Sequence, residues 1–144
     1  MIAIGSDHAG FALKQKLMTY LNASGNEFKD FGCFDENSVD YPLIAGEVAK
    51  SVSDGECEKG ILICGTGIGM SIAANKVNGV RAALCSDEFS AKYTRLHNNA
   101  NVLCLGARVI GEGLAQDITE IFLNTEYEGG RHEKRLDFIK ELEK

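Results

Sequence analysis

Short apolar runs alternate with amphipathic segments along this chain, and the alternation is the strongest constraint on its fold. Five runs predict buried β-strands, at residues 2–6, 26–32, 60–64, 80–85 and 101–106. In the segments between them, apolar residues recur at i, i+3 and i+4, the spacing of a helix with one buried face. Repeated strand–helix alternation predicts a parallel sheet covered by helices on both sides. We therefore expect an α/β fold, a three-layer α/β/α Rossmann-like arrangement around a five-stranded parallel sheet.

The length of the chain, 144 residues, fits one domain over residues 1–144, because no linker, repeat or change of composition marks a second one. The last segment, 131–144, has apolar residues at helical spacing: Leu136, Ile139 and Leu142. The sequence contains no later strand that would hold this extended C-terminal helix against the sheet. We therefore expect the helix to contact the partner subunit of an oligomer.

The composition excludes several classes of function. A formal net charge of −6 disfavours nucleic-acid binding, which relies on a basic face. No apolar run approaches the ~20 residues of a membrane span, and the first residues predict a strand rather than a cleavable leader. Five cysteines without a CxxC pair predict reduced thiols rather than disulfides or a zinc site. We expect a cytoplasmic protein with no metal site and with neither a nucleic-acid nor a membrane partner.

A glycine-rich turn follows the third predicted strand, which ends in Cys64; the turn is Gly65-Thr66-Gly67-Ile68-Gly69. Glycines allow positive φ angles and let a ligand approach main-chain N–H groups closely. Ligands of open α/β sheets bind at the carboxyl ends of the strands. Met70 breaks both the GxGxxG dinucleotide pattern and the Cys-x5-Arg phosphatase pattern. We interpret the turn as an anion or substrate site, and a merely tight strand–helix turn is the alternative.

Cys64 is the residue of this turn best suited to chemistry. A helix beginning just after the glycines would favour a thiolate, which can act as a base or a nucleophile. A cysteine at the end of an apolar strand is otherwise a packing residue, and this is what we expect of Cys85, which no glycine turn follows.

Further polar residues occur where strands or helices end. They are Asp7 and His8 after the first strand, His97 and Asn98 near the end of the helical stretch 87–97, Arg108 after the last strand, and Arg131 and Arg135 one helical turn apart. Histidine suits proton transfer near neutral pH, and paired guanidinium groups suit phosphate binding. Each residue also has a purely structural interpretation, as a helix cap, a charge at a helix C-terminus or a solvated arginine.

Together these residues resemble the ribose-5-phosphate isomerase type B family, which also includes allose- and galactose-6-phosphate isomerases. The matching motifs are Ser6-Asp7-His8-Ala9-Gly10, Val39-Asp40-Tyr41-Pro42, Cys64-Gly65-Thr66-Gly67-Ile68-Gly69 with Ser71-Ile72-Ala73-Ala74-Asn75-Lys76, Arg95-Leu96-His97-Asn98 and Gly129-Gly130-Arg131-His132. They follow the family's order and span nearly the whole chain.

The resemblance implies an aldose–ketose isomerase without metal or cofactor, interconverting ribose 5-phosphate and ribulose 5-phosphate through a cis-enediolate. By similarity, His97 assists opening of the sugar ring, and Cys64 moves the proton from C2 to C1. Thr66, the N–H groups of the glycine turn and Asn98 would hold the negative charge of the enediolate. Some members of the family have a glutamate base just after the turn, where this chain has Met70.

The resemblance also implies how the sugar phosphate is held. Asp7 and Tyr41 would contact the sugar, together with the turn residues Gly65, Gly67, Ile68 and Gly69. His8, Arg108, Arg131 and Arg135 would bind the phosphate. In this family the two C-terminal arginines come from the neighbouring subunit, so the expected assembly is a homodimer, or a dimer of dimers, with the active site at the subunit interface.

Three alternatives remain open on the sequence. The first is an isomerase of a hexose phosphate, allose or galactose 6-phosphate, because only pocket length distinguishes the members of the family. A non-catalytic nucleotide-binding module is the second alternative, since Asp87 stands about where a ribose-binding acid would lie. A thiol-redox role is the third and the weakest, because no second cysteine lies close to Cys64 in sequence.

Overall fold

The computed structural model describes residues 1–143, and these form five strands and six helices. The strands are β1 (Ile2–Ser6), β2 (Phe28–Asp30), β3 (Lys59–Cys64), β4 (Ala82–Leu84) and β5 (Val102–Gly106). The helices are α1 (Phe11–Ala23), α2 (Tyr41–Ser53), α3 (Ile68–Ala74), α4 (Glu88–Asn98), α5 (Glu112–Asn124) and α6 (His132–Glu141). All strand pairs are parallel, in the order β2-β1-β3-β5-β4. The predicted three-layer α/β fold is confirmed.

The helices cover both faces of the sheet. Crossovers between parallel strands are right-handed, so a connection toward the β2 edge and one toward the β4 edge place their helices on opposite faces. One apolar cluster joins the sheet to α1, α4 and α5, through residues such as Leu17 and Phe122. The other joins it to α2 and α3, through residues such as Val48 and Met70. The central strands β1 and β5 are buried along their whole length, which explains their continuous apolar sequences.

Predicted and observed boundaries differ most at the edges of the sheet. The predicted strands 26–32 and 80–85 shorten to β2 and β4, each of three residues. Both are edge strands with one neighbour, so they retain only part of the pairing that holds the central strands. Helix α2 begins at Tyr41, with Pro42 in its first turn. Of the predicted C-terminal helix, Lys144 lies outside the described residues.

The C-terminal helix α6 packs against its own chain, at the end of the sheet where the strands begin. The side chain of Glu143 accepts a hydrogen bond from the backbone N–H of Gly79 at 2.9 Å, and His132 is buried. Phe138 and Leu142 nevertheless stay exposed, at 63% and 83%. The intramolecular contact was not expected from the sequence, and contact with a partner subunit stays a prediction. No helix of residues 1–143 is both long and apolar enough for a membrane crossing.

A buried ion pair fixes the segment that follows β2. The ammonium of Lys14, which is 0% exposed, donates to Asp30 Oδ1 at 2.7 Å and to the carbonyl of Cys33. Ser6 and residues 32–33 exchange two backbone hydrogen bonds of 2.7 Å, which join this segment to the carboxyl end of β1. Lys14 therefore holds the segment beside the polar residues that follow β1.

We expect Lys14→Met to lower the free energy of unfolding by about 3 kcal/mol, because it leaves the Asp30 carboxylate and a buried carbonyl without their cation. Urea unfolding measures this change. The matched control is Lys16→Met, since Lys16 forms an exposed 2.8 Å ion pair with Glu112; its loss should cost less than about 1 kcal/mol. Equal effects of the two substitutions would contradict the role given to Lys14.

Candidate active site

The parallel register brings three polar segments to one edge of the sheet. Ser6 pairs with Ile63, and Cys64 pairs with Gly106, so β1, β3 and β5 end at nearly the same level. Asp7 follows the first of these strands, the glycine turn the second and Arg108 the third. We call this the carboxyl edge, and the opposite one, where the strands begin, the amino edge.

The sulfur of Cys64 lies inside the glycine turn. Its Sγ accepts a hydrogen bond from the backbone N–H of Gly67 at 3.1 Å, and the residue is 6% exposed. An N–H group directed at sulfur stabilises negative charge there. The other cysteines of the sheet lack this arrangement: burial raises the pKa of Cys85 to about 11, and burial also raises the pKa of Cys104.

The turn can take this shape only with glycine at position 67. Gly67 has a φ of +80°, and a Cβ atom there would lie 2.5 Å from the Leu84 side chain and 2.9 Å from the carbonyl carbon of Leu105. A side chain at Gly69 would meet the Tyr41 ring at 2.6 Å. The absence of side chains thus lets the turn pack against β5 on one side and Tyr41 on the other.

Thr66 and Arg108 lie next to the cysteine. The Thr66 Oγ1 accepts the N–H of Ile68 at 3.2 Å, so its hydroxyl proton remains able to donate to a ligand. The Arg108 guanidinium passes over Gly65, with Nη1 3.4 Å from the position of a Cβ atom. The backbone N–H of Arg108 also donates to the Gly65 carbonyl at 3.0 Å, which ties the segment after β5 to the turn. A cavity of about 200 Å³ opens beside Thr66, lined in part by Ile68 and Val109.

Asp7 and His8 are held by backbone groups. The Asp7 Oδ1 accepts the N–H of Gly10 at 3.0 Å, which leaves its other oxygen for a ligand. The His8 Nδ1 accepts the N–H of Val39 at 3.3 Å. Because an acceptor nitrogen carries no proton, the neutral His8 ring has its N–H at Nε2, where it can donate.

One chain therefore assembles ten of the fourteen predicted site residues at the carboxyl edge, and we call these residues the carboxyl-edge set. They are Asp7, His8, Tyr41, Cys64, Gly65, Thr66, Gly67, Ile68, Gly69 and Arg108.

The other four predicted residues lie at the amino edge of the same chain, and we call them the amino-edge set. They are His97, Asn98, Arg131 and Arg135. Helix α4 runs back from the carboxyl edge and ends at Asn98, beside the start of β5, where Asn101 donates to the Arg81 carbonyl. The four residue steps of β5 then separate the two sets by about 13 Å or more. His97 consequently cannot meet Cys64 of its own chain, a separation that the sequence did not show.

A stacked pair of histidines with a glutamate occupies the amino edge. The rings of His97 and His132 stack with centroids 4.2 Å apart. The Glu128 carboxylate lies 3.9 Å from His97 Nε2 and 3.8 Å from His132 Nε2. Burial lowers the pKa of His132, and His97 acts in the same direction, while Glu128 opposes both. The sequence analysis missed Glu128. Its spacing of four residues from His132 was the only available signal. That spacing indicates neighbours only within a helix, and Glu128 lies before the start of α6.

Asp87, which supported a nucleotide-binding module, has another role. Its Oδ1 accepts the backbone N–H of Ser90 at 2.6 Å, and its Oδ2 lies 2.9 Å from the Ser90 hydroxyl. Asp87 therefore caps the N-terminus of α4. The protein therefore belongs to the α/β class, in which ligands bind at the carboxyl edge of the sheet. At this edge the chain places a thiol under an N–H donor, a guanidinium and an imidazole whose Nε2–H can donate.

Comparison with known proteins identifies the family of the chain. The family described as Ribose/Galactose Isomerase matches residues 2–139. Ribose-5-phosphate isomerase B of Escherichia coli is 48% identical, over 99% of this chain and 95% of its own length. D-erythrulose-4-phosphate isomerase of Pectobacterium atrosepticum is 47% identical, over 96% of this chain and 91% of its own. The solved structure of Clostridium thermocellum ribose-5-phosphate isomerase B superposes with a TM-score of 0.97 at 51% identity, covering 99% of this chain and 96% of that one. The chain belongs to the ribose/galactose isomerase family, and the resemblance found in its motifs is confirmed.

We expect Gly67→Ala to destabilise the fold by about 1–3 kcal/mol, because alanine at a positive φ is strained and its Cβ would clash with β5. Urea unfolding measures the effect. Gly46→Ala in α2 is the matched control: no atom lies within 4 Å of a Cβ there, so this substitution should stabilise the helix by about 0.5–1 kcal/mol. A Gly67→Ala protein as stable as the wild type would refute the steric argument.

Proposed function

We propose that this chain is an aldose–ketose isomerase that interconverts D-ribose 5-phosphate and D-ribulose 5-phosphate. The observation that carries the proposal is the Cys64 sulfur, held at the carboxyl end of β3 under the N–H of Gly67. Thr66 belongs to the same turn and its hydroxyl can donate, and the Arg108 guanidinium passes over Gly65, the residue after the cysteine. The relatives named ribose-5-phosphate isomerase B support the choice of a pentose phosphate.

Isomerisation requires a base beside a carbon acid. In the open-chain aldose, the Cys64 thiolate removes the proton from C2, and the electron pair forms the C1–C2 double bond of a cis-enediolate. The thiol then returns the proton to C1, while the O2 proton passes to O1 and the C2 carbonyl forms. Aimed donors stabilise the charge of the enediolate, and the Thr66 hydroxyl and turn N–H groups can serve as these donors.

The residue at position 70 is a methionine, which favours Cys64 as the base. This residue stands where related enzymes can have a glutamate, and its side chain is 0% exposed within the apolar cluster of α2 and α3. No acid therefore competes with the thiol at that position. The second oxygen of Asp7 and the Tyr41 hydroxyl would bind sugar hydroxyls.

The phosphate would lie away from the reacting carbons, so its binding orients the sugar. Arg108 and the Nε2–H of His8 offer two donors at the carboxyl edge. Arg131, at the N-terminal cap of α6, and Arg135, one helical turn further on, are exposed at the amino edge. They can bind the same phosphate only from another copy of the chain.

We further propose that the active unit is a homodimer, or a dimer of dimers, in which each site joins two chains. The carboxyl-edge set of one chain would face the amino-edge set of its partner, so that His97 of the partner subunit assists ring opening beside Cys64. Large apolar side chains are exposed around the glycine turn and on the neighbouring edge strand. They include Ile68, Ile72, Leu84, Phe89 and Val109, at 51%, 58%, 40%, 70% and 61%. Burial of such side chains would stabilise this assembly.

Complementation tests both parts of the proposal. Cys64→Ala and His97→Ala should each lose isomerisation of ribose 5-phosphate, by about 100–10,000-fold for a missing acid or base. Co-expression of the two variants in equal amounts should restore about a quarter of the wild-type rate, because half of the dimers are mixed and each mixed dimer has one intact site of two.

The control is co-expression of Cys64→Ala with the double variant Cys64→Ala/His97→Ala, which leaves no intact site in any pairing. Full activity of Cys64→Ala alone would refute the base assignment. Inactive single variants without complementation, despite the formation of mixed dimers, would refute the shared site but not the isomerase.

We expect Arg131→Ala to raise the apparent KM for ribose 5-phosphate by about 10–100-fold, because one charge-assisted contact to phosphate is lost. Steady-state kinetics measure it. Lys134→Ala removes the same charge from an exposed position of α6 and should leave KM within about twofold, because the proposed phosphate contact belongs to Arg131 and not to the net charge. An unchanged KM in Arg131→Ala would remove Arg131 from the phosphate site.

A further inference from the structure

Three side chains at the amino edge bring possible metal-ligand atoms close together. They are His97, Glu128 and His132, and we call them the His–Glu cluster. One nitrogen of each imidazole and one carboxylate oxygen all lie within 4.8 Å of one another. The three come from α4, from the irregular segment before α6 and from the first residue of α6. The chain therefore folds distant residues into a compact set of donors.

One of these donors is buried without a partner. His132 is 4% exposed, and its Nε2 has no hydrogen bond within the described part of the chain. The nearest Glu128 oxygen, 3.8 Å away, is too distant for a hydrogen bond. A buried polar atom without a partner is costly, so such an atom directed at a carboxylate and a second imidazole points to a missing ligand.

The donor set matches a transition metal. Two imidazoles and one carboxylate are a known zinc ligand set, with bonds of about 2.0–2.2 Å. Donors around a tetrahedral ion with such bonds lie about 3.3–3.4 Å apart. The three donor atoms lie within 4.8 Å of one another, so the side chains must close by up to about 1.5 Å around an ion. His97 and Glu128 have side chains 37% and 54% exposed and can move, whereas His132 is fixed by burial. The stacked rings must open slightly so that both nitrogens point to one ion.

We propose that His97, Glu128 and His132 bind one divalent transition-metal ion per chain, for which Zn²⁺ is the best match, and that bound metal inhibits the enzyme. The inhibitory part rests on the proposed function, in which His97 assists ring opening. A metal bound to the His97 imidazole occupies the lone pair that proton transfer needs. The metal is therefore a reversible inhibitor of the site and not a cofactor.

Binding is tested first, without reference to activity. Chelator-treated wild-type protein is titrated with Zn²⁺ against a chromophoric chelator, and with Co²⁺ for its visible absorption. We expect one ion per chain, and at least about tenfold weaker binding in Glu128→Gln and in His132→Gln. Glu126→Gln removes the same charge two residues away from Glu128, at an exposed position, and should bind like the wild type.

Cys64→Ser separates this site from metal capture by the thiol, and it should keep the full affinity. Absence of Zn²⁺ binding to the wild type, loss of binding in Cys64→Ser, or unaltered binding in Glu128→Gln would each overturn the proposal. Because the Glu128 side chain is half exposed, its variant tests the site even if His132→Gln fails to fold.

Inhibition is then measured as the Zn²⁺ concentration that halves the rate of ribulose 5-phosphate formation, with each variant compared to its own metal-free rate. We expect this concentration to rise at least about tenfold in Glu128→Gln, in step with the loss of affinity. Equal inhibition of Glu128→Gln and the wild type would overturn the inhibitory role. If the protein does not isomerise sugar phosphates at all, the binding experiments still decide whether the metal site exists.

Discussion

The rest of the candidate site depends on the hydrogen bond from the Gly67 N–H to the Cys64 sulfur, through which the fold of the sheet positions the thiol. This hydrogen bond exists because β3 delivers the cysteine to the carboxyl edge and because Gly67 turns the chain back with a positive φ. The same turn packs on Leu105 of β5 and carries Thr66 outward. Pairing of β3 with β5 sets the level of both the thiol and the segment bearing Arg108. The register of the sheet therefore determines where the residues of the carboxyl-edge set lie relative to one another.

The direction of α4 separates His97 from the carboxyl-edge set. A helix that leaves a strand at the carboxyl edge must return to the amino edge before the next parallel strand begins, so His97 ends far from Cys64 of its own chain. Helix α6 then packs at the same amino edge and brings its arginines there. This topology explains why one chain with every expected motif keeps the carboxyl-edge set and the amino-edge set apart.

The sequence predicted those features that depend on local pattern. Strand–helix alternation identified the fold, and the glycine turn identified the carboxyl-edge set around Cys64. The stacking of His132 on His97 was not predictable, because it depends on how the chain from 125 to 131 leads α6 onto α4. The lengths of β2 and β4 also escaped prediction, since their limits depend on having one neighbour instead of two. The sequence therefore predicted the features that local residue patterns determine, and it missed those that depend on how distant parts of the chain pack together.

The buried ammonium of Lys14 has a consequence for the segment that lies beside Asp7 and His8. Detaching the segment 30–33 from β1 would leave a cation in hydrocarbon and would expose the backbone groups that Ser6 now satisfies. Local opening of this segment therefore breaks the ion pair and two backbone hydrogen bonds at once. A sugar phosphate that bound beside Asp7 and His8 would meet backbone that a buried charge holds in place.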